Sequence, residues 1–144
     1  MEMFIKLLVA SVLGGIVGME REAHDKAAGL RTHMLVCLGS CLITITSIHM
    51  YDMYKGMGSV SPERIAAQIV SGIGFLGAGT IIRSKASIVG LTTAASLWAV
   101  AGVGLALGTG LYLVSIFTTA IMIVSLKLLP KVKDRVVHQK KEDK

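Results

Sequence analysis

Five long apolar stretches follow one another along the chain, separated only by short polar segments. Each is close to the roughly 20 residues that an α-helix needs to cross a hydrocarbon core of roughly 30 Å. Because a bilayer offers backbone N–H and C=O groups no partners, these stretches are predicted to be helices. The predicted spans are Met3–Met19, Thr32–Tyr51, Ile65–Ile82, Ile88–Leu107 and Gly110–Leu129. The predicted fold class is therefore all-α, a polytopic membrane protein built as a bundle of about five transmembrane helices.

The composition supports this prediction. Hydrophobic residues make up 53% of the 144 residues and charged residues only 17%, whereas a soluble domain has about 25% charged residues. Much of the surface must therefore face something other than water. Residues 1–130 are predicted to form one transmembrane helical domain. Residues 131–144 are too few to bury a core, and they are predicted to be a short basic cytoplasmic tail.

Lysine and arginine residues are divided unevenly between the two ends of the predicted bundle. An odd number of spans places on one side Arg21, Lys26, Arg31, Arg83, Lys85, Lys131, Lys133, Arg135, Lys140, Lys141 and Lys144. The other side has Lys6, Lys55 and Arg64. Since short loops rich in Lys and Arg stay in the cytoplasm, the N-terminus is predicted outside and the C-terminus in the cytoplasm. This division explains the formal net charge of +6 without nucleic acid, for which the chain has no binding module.

Glycines recur at spacings that let helices approach closely. The third span spells GxGxxG, but a dinucleotide-binding loop requires a preceding strand and a helix that begins in the glycines. Here the glycines lie within an apolar span, so helix packing is the better interpretation. The glycines predicted to pack helices are Gly14, Gly18, Gly72, Gly74, Gly77 and Gly79.

The loop after the first span is the most polar part of the chain. Arg31 directly precedes the apolar part of the second span, so it must lie at the membrane interface, and Glu22 is its predicted partner. Two threonine-containing segments open the second and fourth spans, and they are predicted to cap these helices or bind a ligand. The predicted functional cluster at the cytoplasmic mouth is Glu22, Arg31, Thr32, Thr92 and Thr93. An ordinary solvated juxtamembrane loop is the alternative.

An internal repeat is a further hypothesis. Gly29-Leu30-Arg31-Thr32 opens the second span, and Gly90-Leu91-Thr92-Thr93 opens the fourth span 61 residues later. At the same offset Gly18 corresponds to Gly79. The first two spans and the next two are therefore predicted to be related hairpins.

Catalysis and metal binding find little support in the sequence. No nucleophile–base pair and no metal-ligand spacing can be identified, so the chain is predicted to be neither an enzyme nor a holder of a metal or cofactor. Cys37 and Cys41 are four residues apart, and we interpret them as small buried apolar side chains. No Asp or Glu lies in the middle of a span, whereas Mg²⁺ is normally bound by carboxylates or dense carbonyl oxygens. A cation path would have to use carbonyls at a break in the third span.

Four segments together resemble the membrane domain of the MgtC/SapB family of bacterial proteins. They are Gly18–Glu22, Ala28–Thr32, Gln68–Gly79 and Gly90–Trp98, within a match that runs from about residue 7 to 125. The resemblance implies a protein of the bacterial plasma (inner) membrane linked to growth in low magnesium and, in pathogens, to survival inside host cells. Family members include proteins called magnesium transporters and others that look like regulators of membrane partners such as the F-type ATP synthase.

The chain also departs from the virulence-associated branch of this family. That branch often has a soluble C-terminal domain, which is not found here, and often has Asn where this chain has Thr92. The chain is therefore expected to be a membrane-only member of the family. We predict a non-enzymatic protein that supports magnesium homeostasis by regulating other membrane proteins. The alternative is a transporter or channel for Mg²⁺ or another cation. The expected partners are the lipid bilayer, other membrane proteins and a second copy of the chain.

Overall fold

The computed structural model describes residues 1–55, 61–83 and 87–142. In these ranges the chain forms five helices, α1 (Glu2–Glu22), α2 (Leu30–Tyr54), α3 (Pro62–Gly79), α4 (Leu91–Gly108) and α5 (Tyr112–Glu142). Two short strands, β1 (Ile82–Arg83) and β2 (Ile88–Val89), pair antiparallel between α3 and α4. The prediction of a helical chain is confirmed.

The described helices differ in how well they suit a bilayer. By length and composition, α1, α2 and α4 are long and apolar enough to cross a membrane. The apolar part of α5, Tyr112–Leu128, is shorter. The first turn of α3 contains Glu63 and Arg64, which lower the mean hydropathy of that helix. Three of the described helices therefore have the length and composition of transmembrane helices.

The boundary between the third and fourth predicted spans is wrong at both sides. The prediction places Ile82 and Ile88 in spans, but they lie in the strands, where Ile82 pairs with Val89 and Arg83 with Ile88. The α4 helix begins only after Gly90 because this residue has a φ of 94°, a left-handed conformation that only glycine adopts readily. A side chain at Gly90 would also collide with the carbonyl oxygen of Thr80.

The α2 helix packs against both α1 and α4 so closely that glycines of these two helices lie against its backbone. On the α1 side, a Cβ atom on Gly14 would lie 2.7 Å from Cys37 Cβ, and one on Gly18 would lie 2.6 Å from Leu30 Cα. On the α4 side, a Cβ on Gly104 would collide with the carbonyl oxygen of Cys37. Two glycine pairs, each spaced four residues apart, thus let α1 and α4 approach α2 closely, as small residues do in membrane helix pairs.

The faces of α2 that receive these glycines carry small side chains. Cys37 and Cys41 are fully buried and are free thiols, which agrees with their interpretation as small apolar groups. Thr44 is buried against Gly108 and satisfies its hydroxyl within α2 by donating to Ser40 O at 2.8 Å. At these contacts, small or internally satisfied side chains let the helices approach closely, while Leu13, Val17 and Leu107 fill the core beside them.

The glycines of α3 behave differently from those of α1. A Cβ on Gly72, Gly74 or Gly79 would meet no atom within 4 Å, so the packing role predicted for them is not seen within the described part of the chain. Gly77 alone among the four has a neighbour, with Ala94 Cβ 3.5 Å from its would-be Cβ. Phe75 is 83% exposed. The third helix thus lies at the edge of the bundle.

The two halves of the predicted repeat differ at the residue that precedes their second helix. Gly29 and Gly90 each occupy the N-cap position immediately before α2 and α4. Gly29 has φ −108° and ψ −149°, whereas Gly90 has φ 94° and ψ −6°. The chain therefore enters the two helices along different paths, although the residues correspond in sequence.

The predicted basic tail begins as helix. The α5 helix runs from Tyr112 to Glu142 and crosses the predicted domain boundary at residue 130 without interruption.

Replacing Gly18 with alanine tests the close packing of α1 on α2. We expect Gly18→Ala to lower the free energy of unfolding in detergent by about 1–3 kcal/mol, because the methyl group overpacks a backbone contact. Gly102→Ala is the matched control, since a Cβ there meets nothing within 4 Å, and it should be neutral or stabilising. Equal stability of the two variants would contradict the packing account.

Candidate functional site

Two oppositely charged residues are buried in the last turn of α1. Glu20 is 6% exposed and Arg21 is 4% exposed. Their side chains form an ion pair, with Arg21 Nε 2.5 Å from Glu20 Oε2. Buried charges need such pairing because the cost of removing them from water is several kcal/mol per ion. The end of α1 therefore carries a compensated charge pair within the packed part of the bundle.

One oxygen of this pair remains without a hydrogen bond. Glu20 Oε1 is buried and accepts no hydrogen bond among the described residues. The Nδ1 atom of His24 lies 3.3 Å from this oxygen. That same nitrogen lies 2.8 Å from the backbone carbonyl oxygen of Glu20, which takes the N–H when Nδ1 carries a proton. His24 itself is exposed and connects the buried pair to the surface.

Glu22 holds the start of α2. The Leu30 N–H donates to Glu22 Oε2 at 2.7 Å, which supplies a side-chain acceptor that the N-cap residue Gly29 lacks. The approach depends on Gly29, because a Cβ there would lie 2.6 Å from the same oxygen. A carboxylate at a helix N-terminus also interacts favourably with the helix dipole. Glu22 therefore joins the end of α1 to the first turn of α2.

His33 joins α2 to α4. It is fully buried, and its Nδ1 lies 2.9 Å from Gly29 O while its Nε2 lies 3.0 Å from Ser96 Oγ. A carbonyl oxygen only accepts, so Nδ1 carries the proton and donates to Gly29 O. Nε2 can then accept from the Ser96 hydroxyl, or donate to it when the ring is protonated.

The Ser96 hydroxyl therefore has two alternative acceptors. It lies 2.8 Å from Thr93 O as well as 3.0 Å from His33 Nε2. With a neutral imidazole it donates to Nε2. With a protonated imidazole it accepts from Nε2–H and donates to Thr93 O. The starts of α2 and α4 are thus connected by a chain of hydrogen bonds in both protonation states.

The structure places the predicted cluster only partly together. Thr93 is buried and contributes its carbonyl oxygen to the Ser96 contact. Thr92 is exposed, as are Arg31 and Thr32, which line an open groove between α2 and α3. The predicted pairing of Glu22 with Arg31 is absent from the ion pairs of the described residues, because the Glu22 carboxylate is bonded to a backbone N–H instead. The two helix starts do meet, but through His33 and Ser96.

The residues that form the buried centre are Glu20, Arg21, His33 and Ser96, and none of them belongs to the functional cluster predicted from the sequence. A usable signal was the helical spacing of the first span. Ala10, Leu13 and Val17 are buried at intervals of three and four residues, and the next positions of that stripe are Glu20 and Arg21. No turn residue precedes Glu22, so the helix continues through both charged residues.

We call Glu20, Arg21, His33 and Ser96, together with Glu22 and Thr93, the polar junction.

The polar junction is a structural connection with a titratable centre. Within the part of the chain that the structure describes, no three His, Cys, Asp or Glu side chains come close enough to form a metal-binding group. What the arrangement does chemically is neutralise one carboxylate, cap α2 and fix α4 against α2 through an imidazole.

A double-mutant cycle tests the His33–Ser96 contact. We expect His33→Ala and Ser96→Ala to couple by about 0.5–1.5 kcal/mol in unfolding free energy, the usual size of hydrogen bonds between membrane helices. His33→Ala with Thr109→Ala is the control cycle, because Thr109 is exposed and its hydroxyl donates to Ala106 O of the adjoining helix α4. Coupling no larger than in the control cycle would show that the contact does not join the helices.

Comparison with known proteins gives a consistent family. The sequence profile of the MgtC family matches residues 7–135. The putative magnesium transporter YhiD of Escherichia coli K12 is 39% identical over 140 residues, covering 96% of this chain and 65% of the relative. Protein MgtC of Salmonella typhimurium LT2 is 41% identical over 132 residues, covering 92% and 54%. Protein SapB of Bacillus subtilis 168 is 36% identical over 148 residues, covering 99% and 63%.

The chain spans less than two thirds of the length of each of these relatives. No solved structure matches it.

Proposed function

Because this chain belongs to the MgtC family, we propose that it is a multi-pass protein of the bacterial plasma membrane that supports magnesium homeostasis. In this proposal it is not an enzyme, and it acts by regulating other membrane proteins through helix contacts. The observation that carries the proposal is the state of Glu20. Its carboxylate is buried, but it is already bound to the guanidinium of Arg21.

The other carboxylate of the polar junction is also engaged. Glu22 accepts the N–H of Leu30, so it stabilises a helix start. Mg²⁺ demands near-octahedral oxygen coordination and is usually bound through carboxylates. Glu20 Oε1 accepts no hydrogen bond among the described residues, but a cation at this oxygen would lie close to the Arg21 guanidinium and be repelled by it. Coordination by both oxygens would displace Arg21 from a buried ion pair, at a cost of about 3–5 kcal/mol. Both effects disfavour Mg²⁺ binding at Glu20 and so favour the regulatory proposal.

The outward face of α3 is the surface that we propose for contact with another membrane protein. Ser71, Gly74 and Ala78 are exposed and follow one another at helical spacing. A Cβ on Gly74 would meet no atom within 4 Å, so the described part of the chain leaves this face uncovered. Small residues in such a row permit close approach by another helix.

The proposed topology has five spans with the N-terminus outside. In addition to α1, α2 and α4, it places α3 and the apolar part of α5 in the bilayer. The loop with Lys26 then lies in the cytoplasm and Lys55 lies outside, in agreement with the positive-inside rule.

A cation transporter is the second candidate. It is favoured by one observation, the name of a 39% identical relative, a putative magnesium transporter. The geometry gives transport less support than regulation, because α3 is a continuous helix from Pro62 to Gly79. Carbonyls within a continuous helix are used by its own hydrogen bonds, so a path lined by freed carbonyls would have to lie at the end of α3.

Labelling of single cysteines tests the topology. With Cys37 and Cys41 replaced by alanine, a membrane-impermeant maleimide should label Lys55→Cys in intact spheroplasts. Lys26→Cys should react only after permeabilisation. Both positions are exposed in the structure, so poor access is not an alternative cause. The reverse pattern would invert the topology, and labelling of both from outside would exclude an odd number of spans between them.

Vesicles containing the protein and a trapped fluorescent Mg²⁺ reporter test the mechanism. We expect no saturable, protein-dependent Mg²⁺ uptake. In cells, Gly74→Leu should reduce growth in low magnesium while Gly102→Leu, a helical glycine with equally open surroundings, should not. Saturable uptake that Gly74→Leu abolishes and Gly102→Leu preserves would overturn the regulatory proposal in favour of transport.

A further inference from the structure

An open groove of about 570 Å³ runs between α2 and α3. Its lining is mostly aliphatic or glycine, with polar groups at a few positions. The α2 wall is Arg31, Thr32, Leu35, Val36, Gly39, Ser40 and Ile43. The α3 wall is Ile65, Gln68, Ile69, Gly72, Ile73 and Leu76.

The groove exists because glycines on both walls leave space that a side chain would otherwise fill. Gly39 of α2 and Gly72 of α3 lie on opposite walls, and a Cβ on either would meet nothing within 4 Å. In a bilayer such a space is filled, because aliphatic side chains that face an empty space lose their dispersion contacts. An apolar occupant is therefore required.

One end of the groove is cationic. Arg31 and Thr32 belong to the first turn of α2 and line the groove. Among the ion pairs of the described residues, none involves Arg31, and the nearby carboxylate of Glu22 is bonded to the Leu30 N–H. A guanidinium binds phosphate through two parallel N–H···O bonds. The occupant is therefore expected to be anionic at this end.

We propose that this groove binds one anionic phospholipid. The headgroup phosphate lies against Arg31 and Thr32, and an acyl chain follows the aliphatic wall past Gly39 and Gly72. Clefts of about 300–1,000 Å³ hold single small molecules, so a groove of about 570 Å³ has room for a lipid acyl chain. The cationic end at Arg31 is the feature that favours a lipid headgroup over a second apolar helix. This site is separate from the proposed partner face, which lies around Gly74.

Native mass spectrometry of the full-length detergent-solubilised protein tests the proposal. Phosphatidylglycerol and phosphatidylcholine with identical acyl chains are the two probes. We expect one bound phosphatidylglycerol per chain, with affinity about fivefold above phosphatidylcholine, the effect of about one Arg near an anionic headgroup. Arg31→Gln should remove this preference, whereas Lys26→Gln, a neutralised cation of the same loop, should retain it.

Filling the groove gives an independent readout. Gly72→Leu should abolish binding of both lipids, and Gly102→Leu should leave it unchanged. Because Gly72 has open surroundings, the variant is expected to fold, and its thermal unfolding temperature checks this. Unchanged lipid binding in Gly72→Leu, or equal affinity for the two lipids in the parent protein, would overturn the proposal. So would a second protein chain that occupies the groove in place of lipid and is released by Gly72→Leu.

Discussion

The close contact of α2 with two glycine-bearing helices is the constraint on which the rest of the structure depends. Gly14 and Gly18 bring α1 to α2, and Gly104 and Gly108 bring α4 to α2 from the other side. Between membrane helices there is little hydrophobic driving force, so packing and hydrogen bonds must supply the stability. When the backbones approach closely, more atoms are in van der Waals contact, and side chains of one helix can reach hydrogen-bond partners on the next.

The polar junction follows from that approach. His33 reaches Ser96 only because α2 and α4 are close enough for a 3.0 Å contact, and Glu22 reaches the Leu30 N–H only because Gly29 lacks a side chain. The same packing buries Glu20 with Arg21. These polar contacts are therefore a consequence of the close helix packing as well as a contribution to it. Each of the two carboxylates has one oxygen engaged, Glu20 Oε2 with Arg21 and Glu22 Oε2 with the Leu30 N–H.

The α3 helix makes no such close glycine contact with α2. The proposed partner surface and the proposed lipid site both follow from this difference. Its glycines meet no neighbour at Gly72 and Gly74, so one side of it leaves a groove against α2 and another side is free for a second protein. The packed helices α1, α2 and α4 would not have to rearrange for a lipid or a second protein to bind along α3, and both proposals require this.

The sequence by itself determined that the chain is helical, where most helices lie and which family it belongs to. This was possible because helical hydrogen bonds are local and because lipid demands long apolar runs. It did not determine the helix ends at Gly79 and Leu91, where a glycine in a left-handed conformation and a strand pair intervene. Only the tertiary structure decided which glycines are contacts and which polar residues are buried. Those properties depend on residues far apart in the chain, such as His33 and Ser96, and spacing within one helix does not specify which helix comes to face it.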